Sequence, residues 1–567
     1  MENYSIEAEY ECCPNIRSIN FTKLMFSIIH EKLLPEGPGL VRKYLKKNKT
    51  KFKLNKKNKL GWTALMLASR NSFRISSEKT VKKILKYRPN INLKNNKGNT
   101  ALSLASKFSN TESTLETVKI LLDHGANTYV QNNNGWSPLM IAVVYCNSHS
   151  SIDTVKLLLE SGANVNLRTF TGWTALHLAC RNSNTTSNIN AVQLLLDNGA
   201  DINSKNDNGK NCLLLAVKYC HTDSNVETVK LLLERGCDVN TKINSSTCLM
   251  KLLKVKENDK VIEVSKLLLE YGIDINAINN KRYTSLMYAI TREENVELID
   301  LFLKYKCDIN VKNVEGETAL SIILKNYDND EKDTYIINKL LEAGSDINIE
   351  DKEGCNALII AIKNNCRFHV IKLLISSTRN KKYNFNLDHV DNNGNTALIH
   401  SLSHPDSINI MNLLLENGAN INICNKNNYT ALTLCALHTS KIKSRNQEKL
   451  SFLLYHGADY KIKTNKNQTI FDFINSSDII DYLDIIKKME ITKFKKDQVL
   501  KNIYISYTSI IYNPNSLRVK LFSLKWIIEN NLYDELFENN KNIFQYFGIY
   551  DQESLVLKLN DILKFID

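Results

Sequence analysis

The stretch "GWTALHLAC", residues 172–180, places a tryptophan, a threonine and a histidine within nine positions. Alone it reads as a small aromatic–histidine cluster. The phrase returns as "GWTALMLAS" from Gly61, and that return decides its meaning. Aligned on the middle residue, it recurs at Thr63, Thr100, Ser137, Thr174 and Asn211, each 37 residues apart. It continues at Thr247, Thr284, Thr318, Asn356, Thr396, Thr430 and Thr469, at spacings of 34 to 40, which makes twelve copies. A weaker unit over residues 20–60 precedes them. Self-similarity at such a period is the mark of a solenoid, in which each unit buries its apolar face against its neighbours.

Each copy divides into three physical parts. A turn such as "KNNKG" (94–98) or "QNNNG" (131–135) supplies Asn and Gly where a hairpin needs positive φ. A Ser or Thr then caps a short helix whose apolar residues, such as Leu176, Ala179 and Cys180, follow helical spacing. A second helix, such as "VKLLLESGA" (155–163), ends in a Gly suited to a left-handed cap and runs into an extended segment. Of the 19 glycines only Gly37, Gly39 and Gly548 fall outside these two places, so no glycine-rich loop is left to cradle a phosphate.

Turn, helix, helix and return segment, with "SPLMIA" (137–142), "TALHLA" (174–179) and "LLLESGANVN" (157–166), resemble the ankyrin repeat over residues 20–490. The resemblance implies an all-α repeat solenoid of helix-turn-helix units with short β-hairpin fingers. The expected layout is an N-terminal tail (1–19), a degenerate capping repeat (20–60), an array of about twelve units (61–491) and a helical C-terminal segment (492–567). Two departures stand out. Proline survives in the phrase only at Pro138, and the regular copies have 37 residues against about 33 in the family. The distance from Ala68 to Val81 is thirteen residues, as it is from Ala105 to Val118 and from Ala179 to Val192. The added residues therefore belong in the turn between the two helices, as a second row of polar loops. The resemblance also implies that His177 is a structural residue between units.

The bulk properties are those of a globular chain: 567 residues, 43% hydrophobic and 24% charged. The abundance of Asn, Lys, Ile and Leu is expected to reflect AT-rich coding more than chemistry. No apolar run reaches the ~18 residues of a membrane span, and the acidic start does not resemble a secretory signal. Thirteen cysteines without a CxxC pair read as reduced, buried small residues. No Walker, HExxH, dinucleotide or EF-hand motif occurs. His400 and His404 have i, i+4 spacing, but Pro405 follows and no third ligand is near. No catalytic residue, metal or cofactor is expected.

A stacked array offers a long surface to a partner. The residue after the turn glycine lies on it: Trp62, Trp136 and Trp173, with Tyr283 and Tyr429 later. Phe170 shares the finger of Trp173, and Arg70 and Arg181 hold equivalent places on first helices, read as exposed. Trp, Tyr and Arg are common interface anchors. The expected partner-binding residues are thus Trp62, Trp136, Phe170, Trp173, Arg181, Tyr283 and Tyr429, with the alternative that the aromatics merely stiffen the array. The net charge of +14 is uneven: Arg42, Lys43, Lys46, Lys47, Lys49, Lys51, Lys53, Lys56, Lys57 and Lys59 form a basic stretch without an acid.

The expectation is a non-enzymatic, monomeric scaffold that binds one or more proteins on its concave groove, with no membrane partner. One alternative is an adaptor whose C-terminal helices bring a ubiquitin ligase or other effector to the bound target. Another is nucleic-acid or nuclear association through residues 42–59. The long array and lengthened units look like ankyrin-repeat proteins of large DNA viruses such as the mimivirus group. That likeness implies the cytoplasm of an infected host cell, or its nucleus, as the compartment.

Overall fold

Thr174 accepts a hydrogen bond on Oγ1 from the backbone N–H of His177, and a helix over Ala175–Arg181 follows. The same cap precedes the first helix of other copies, with Ser137 or Asn211 in place of threonine. These helices are apolar on every side because each is buried on every side: Leu176, Ala179 and Cys180 have no exposed surface. The second helices begin at a cap of their own, Ser77, Thr114, Ser151, Asn188 or Asn225. They bury only one stripe, such as Val155 and Leu158 of Ile152–Glu160.

The structure, a computed structural model, describes residues 21–47, 51–255, 259–292, 296–328, 330–377, 386–439 and 443–473. The expected tail at 1–19 and the C-terminal segment at 492–567 lie outside them, as do Lys49 and the side chain of Lys51. Two units are resolved, Met1–Asp308 and Ile309–Asp567. Among the described residues the first holds eight helix pairs, from Lys23–Ile29 with Gly37–Lys47 to Ser285–Ile290 with Val296–Lys304, and the second four, from Ala319–Lys325 with Glu331–Glu342 to Ala431–Thr439 with Lys443–Tyr455. Within each unit first helices pack on first helices and second helices on second helices, which is the solenoid stack.

The fingers are not strand ladders. Among the described residues only two isolated bridges occur, Ile243 with Ser246 and Val390 with Thr396. A polar side chain five positions before most caps does the work instead. Asn132 Oδ1 accepts the N–H groups of Asn134 (3.0 Å) and Trp136 (2.9 Å), and Asn58, Asn95, Asn206, Asn279, Asn313, Asp351, Asp391 and Asn425 act likewise. In the copy capped by Thr247 that place is taken by Lys242. There Asn244 and Ser245 adopt positive φ (49° and 59°), as a two-residue hairpin turn requires.

A second asparagine series ties repeat to repeat. Asn166 Oδ1 accepts the N–H of Asp201 (2.8 Å), Asn203 that of Asp238 (2.8 Å) and Asn240 that of Asp274 (2.7 Å). In the other unit Asn310 holds Asp346 (2.9 Å) and Asn422 holds Asp459 (2.7 Å). The asparagine content therefore has a structural use, contrary to the reading from base composition. Irregular backbone needs side-chain acceptors wherever no ladder supplies them.

The lengthened inter-helix turns form the expected second row. The N–H groups of Phe73, Asn110, Asn147 and Asn184 donate to the carbonyls of Glu112, His149, Thr186 and Asp223 in the next loop. Beneath them lies a buried hydroxyl chain. Thr117 donates to Ser72 (2.6 Å), Ser72 meets Ser113 (3.2 Å), and Ser113 donates to the Ser69 carbonyl (2.7 Å). Ser109 with Ser150 and Ser183 with Ser224 repeat the contact. At the N-terminal end the Glu31 carboxylate takes the serine's place and accepts from Ser76, Ser77 and Thr80 at 2.7–2.8 Å.

Candidate protein-interaction face

Fingers and the C-terminal ends of first helices share one face of each unit. On the face of Met1–Asp308, cations from one repeat stack over aromatic rings of the next. The Arg70 guanidinium lies 4.6 Å from the Phe108 centroid, Lys107 Nζ 4.6 Å from Tyr145 and the Arg181 guanidinium 5.0 Å from Tyr219. Arg181 also sits 6.0 Å from Trp173, so it is held between two rings, and its buried Nε–H has no hydrogen-bond partner among the described residues. Guanidinium on an aromatic face is attractive and leaves the in-plane donors available for another acceptor. Phe108, Tyr145 and Tyr219 are absent from the sequence expectation. Each stands eight residues after a cap, and comparison across the 37-residue period exposes them.

The expected residues divide by exposure. Phe170, at the tip of its finger, is 68% exposed and packs beside Gly135, where a Cβ would lie 3.1 Å from its ring. Trp136, Trp173, Arg181, Tyr283 and Tyr429 are half-buried. Trp62 is 6% exposed and Arg70 4%, so these two are packing residues of the N-terminal end. Arg70 corrects the expectation of an exposed place: it lies under the Phe108 ring and donates to Asn71 Oδ1 (2.6 Å). Trp136, Phe170, Trp173, Arg181 and Tyr283 belong to the first unit and Tyr429 to the second. Of the basic stretch, Arg42, Lys43, Lys46 and Lys47 are exposed on the helix Gly37–Lys47, and Lys53, Lys56, Lys57 and Lys59 are exposed beyond it.

His177 has no exposed surface. Its Nδ1 accepts the Thr174 N–H (3.2 Å), so the ring proton is on Nε2, which donates to the Lys210 carbonyl of the next repeat (3.0 Å). Burial holds its pKa below the usual histidine range. His404 is engaged in the same way: Nδ1 accepts from Asp406 N–H (3.0 Å) and Nε2 donates to the Cys366 carbonyl (3.0 Å). His400 Nε2 donates to Asp391 Oδ2 (2.8 Å). Both nitrogens of His404 are used, so the His400–His404 spacing does not present two ligands to a metal. Among the described residues no group of three His, Cys, Asp or Glu side chains could hold one.

A profile for ankyrin repeats (three copies) matches residues 73–169, 145–243, 225–313 and 328–425, more than half of the chain. The chain belongs to the ankyrin-repeat family. Ankyrin repeats are generally protein–protein interaction modules rather than enzymes. Three ankyrin repeat proteins of Acanthamoeba polyphaga mimivirus are similar to parts of it. One is 42% identical over 96 residues, 16% of this chain and 15% of the relative. A second is 46% identical over 85 residues, 15% of each. A third is 30% identical over 125 residues, 22% of this chain and 20% of the relative. The chain thus spans a fifth or less of the length of these relatives. Among the described residues of this ankyrin-repeat chain no helix is long and apolar enough to cross a membrane.

Proposed function

We propose that this ankyrin-repeat protein is a non-enzymatic scaffold that grips a partner protein on the finger-and-first-helix face of Met1–Asp308. The centre of the grip is Trp136, Phe170, Trp173 and Arg181. The observation that carries this reading is Arg181, half-exposed and held between the Trp173 and Tyr219 rings. Phe170 beside it exposes a large apolar ring at a finger tip, where burial by a partner would contribute about 2 kcal/mol.

The test is capture of partners from host-cell lysate by the full chain, against the triple variant Trp136→Ala, Phe170→Ala, Trp173→Ala. Partners lost only in the variant support the reading. Identical partner sets would refute it and leave the aromatics as packing.

A further inference from the structure

The two units carry the same cation at the same repeat position and treat it differently. Seven residues after the cap stand Arg70, which is buried, and Lys107, Arg181, Lys218 and Lys254 in the first unit, and Lys325 and Lys363 in the second. Lys325 pairs with Glu317 Oε1 (2.8 Å) and Asp351 Oδ2 (3.0 Å), and Lys363 with Glu353 Oε2 (2.6 Å). Glu317 is the residue immediately before its cap. In the first unit that place holds Asn99, Trp173, Lys210 or Ser246. There Lys107, Arg181, Lys218 and Lys254 lie over aromatic rings and form no ion pair among the described residues.

Acids are rare on the fingers and first helices of this unit. The first helices from Ala64–Arg70 to Ser285–Ile290 contain none, and the fingers before them, residues 55–62 to 276–283, contain only Asp207. Asp207 is already paired with Arg168 at 3.0 Å. Many acids of the unit lie on second helices, such as Glu116, Asp153, Glu160, Glu227 and Glu234, and others, such as Asp201, Asp238 and Asp274, where the second helix runs into the next finger. Cations consequently face cations. Burial and then Arg70 and Lys97 lower the pKa of Lys107, while burial and then Lys254, Lys218 and Lys210 lower that of Lys251.

We infer that this face of the first unit takes an extended acidic segment of a partner protein, whose carboxylates seat on Lys107, Arg181, Lys218 and Lys254 as Glu317 seats on Lys325. The inference rests on the scaffold reading above and names the chemistry of the partner. Carboxylate is favoured over phosphate because the chain itself supplies carboxylates to the equivalent cations of its second unit. The aromatic rings between the cations suit apolar side chains interspersed with the acidic ones.

The probe is a fluorescein-labelled twenty-residue poly-glutamate peptide, titrated by anisotropy into the full chain at two salt concentrations, beside single-stranded DNA of equal charge. Binding should weaken with salt and be roughly tenfold weaker in Lys218→Glu, an exposed site, and in Trp173→Glu, which places a carboxylate within reach of Arg181. Circular dichroism identifies a variant that fails to fold, and Lys218→Glu carries the result if Trp173→Glu does. The triple variant Lys43→Glu, Lys46→Glu, Lys47→Glu should bind the peptide as the parent does. The inference is overturned if the peptide does not bind, if binding is lost in that triple variant alone, or if DNA binds more tightly and is lost in Lys218→Glu. Absence of peptide binding together with partners lost from the aromatic variant would leave the scaffold reading standing. Partners unaffected by the aromatic variant would remove that reading itself.

Discussion

At His177 one side chain closes its own helix cap and reaches the next repeat, and Met66, Leu214 and Met287 hold the same place in sister copies. Because burial keeps the folded pKa below the ordinary value of about 6.5, the unfolded chain binds the proton more readily. The histidine's contribution is complete above pH ~6.5 and is lost as pH falls from there toward the folded value. His177→Leu should flatten the fall in unfolding free energy between pH 6.5 and 5, measured by urea titration. His400 and His404, also held low by burial, keep part of the slope. Glycines separate in a similar way. Gly162 (φ 81°) has open space around a would-be Cβ, whereas a Cβ on Gly98 (φ 79°) would lie 2.5 Å from Asn133 N. Gly162→Ala should cost about 1–2 kcal/mol, the price of a left-handed alanine, and Gly98→Ala measurably more, read as a larger drop in urea midpoint. Burial also pushes the Cys237 and Cys248 thiols up to about 12. The ten buried described cysteines should react with a thiol reagent at pH 8 only on unfolding.

Elements here are joined through polar side chains as much as through apolar contact. The inter-helix turns gain backbone bonds to one another only because the added residues bring each loop beside the next, and Ser72, Ser113, Ser150 and Ser224 fill the space beneath with hydroxyls. Glu31 closes that row by accepting three hydroxyl hydrogen bonds. Glu31→Ala should lower the stability of the N-terminal helix pair by about 2 kcal/mol, since hydrogen bonds to a charged group are worth about 1.5–3 kcal/mol. Hydrogen exchange should locate the loss in Lys23–Lys47 and leave the Ile189–Asp197 helix protected.

In a stack, each repeat depends on its immediate neighbours, so damage stays near its origin. Leu176 is fully buried, and Leu176→Ala should cost roughly 3–5 kcal/mol. Loss of exchange protection should be greatest in Ala175–Asp197, smaller one repeat away in Pro138–Glu160 and Cys212–Glu234, and absent from Lys23–Lys47. Uniform loss across the first unit would instead mean that it unfolds as one cooperative block. Charge is distributed at this scale too: the cations seven residues after the caps lie over aromatic rings in the first unit and pair with finger carboxylates in the second, so the two units present different chemistry at the same repeat position.

The sequence by itself determined the repeat. A period near 37 residues, a capping hydroxyl or amide, a glycine in most turns and a thirteen-residue step between helices in the regular copies suffice, because each is a local requirement written at a fixed offset. It also placed Phe170, Trp173 and Arg181 near one another, since one repeat contains all three. Only the tertiary structure separated Trp62 and Arg70, which are buried, from Trp173 and Arg181, which are half-exposed in matching positions. Stacking alone brought Arg181 over Tyr219 and Lys107 over Tyr145, and showed that asparagines five residues before the caps hold fingers that strand pairing does not. The cation–ring contacts join residues about one period apart, and proximity across a period depends on how one unit seats on the next.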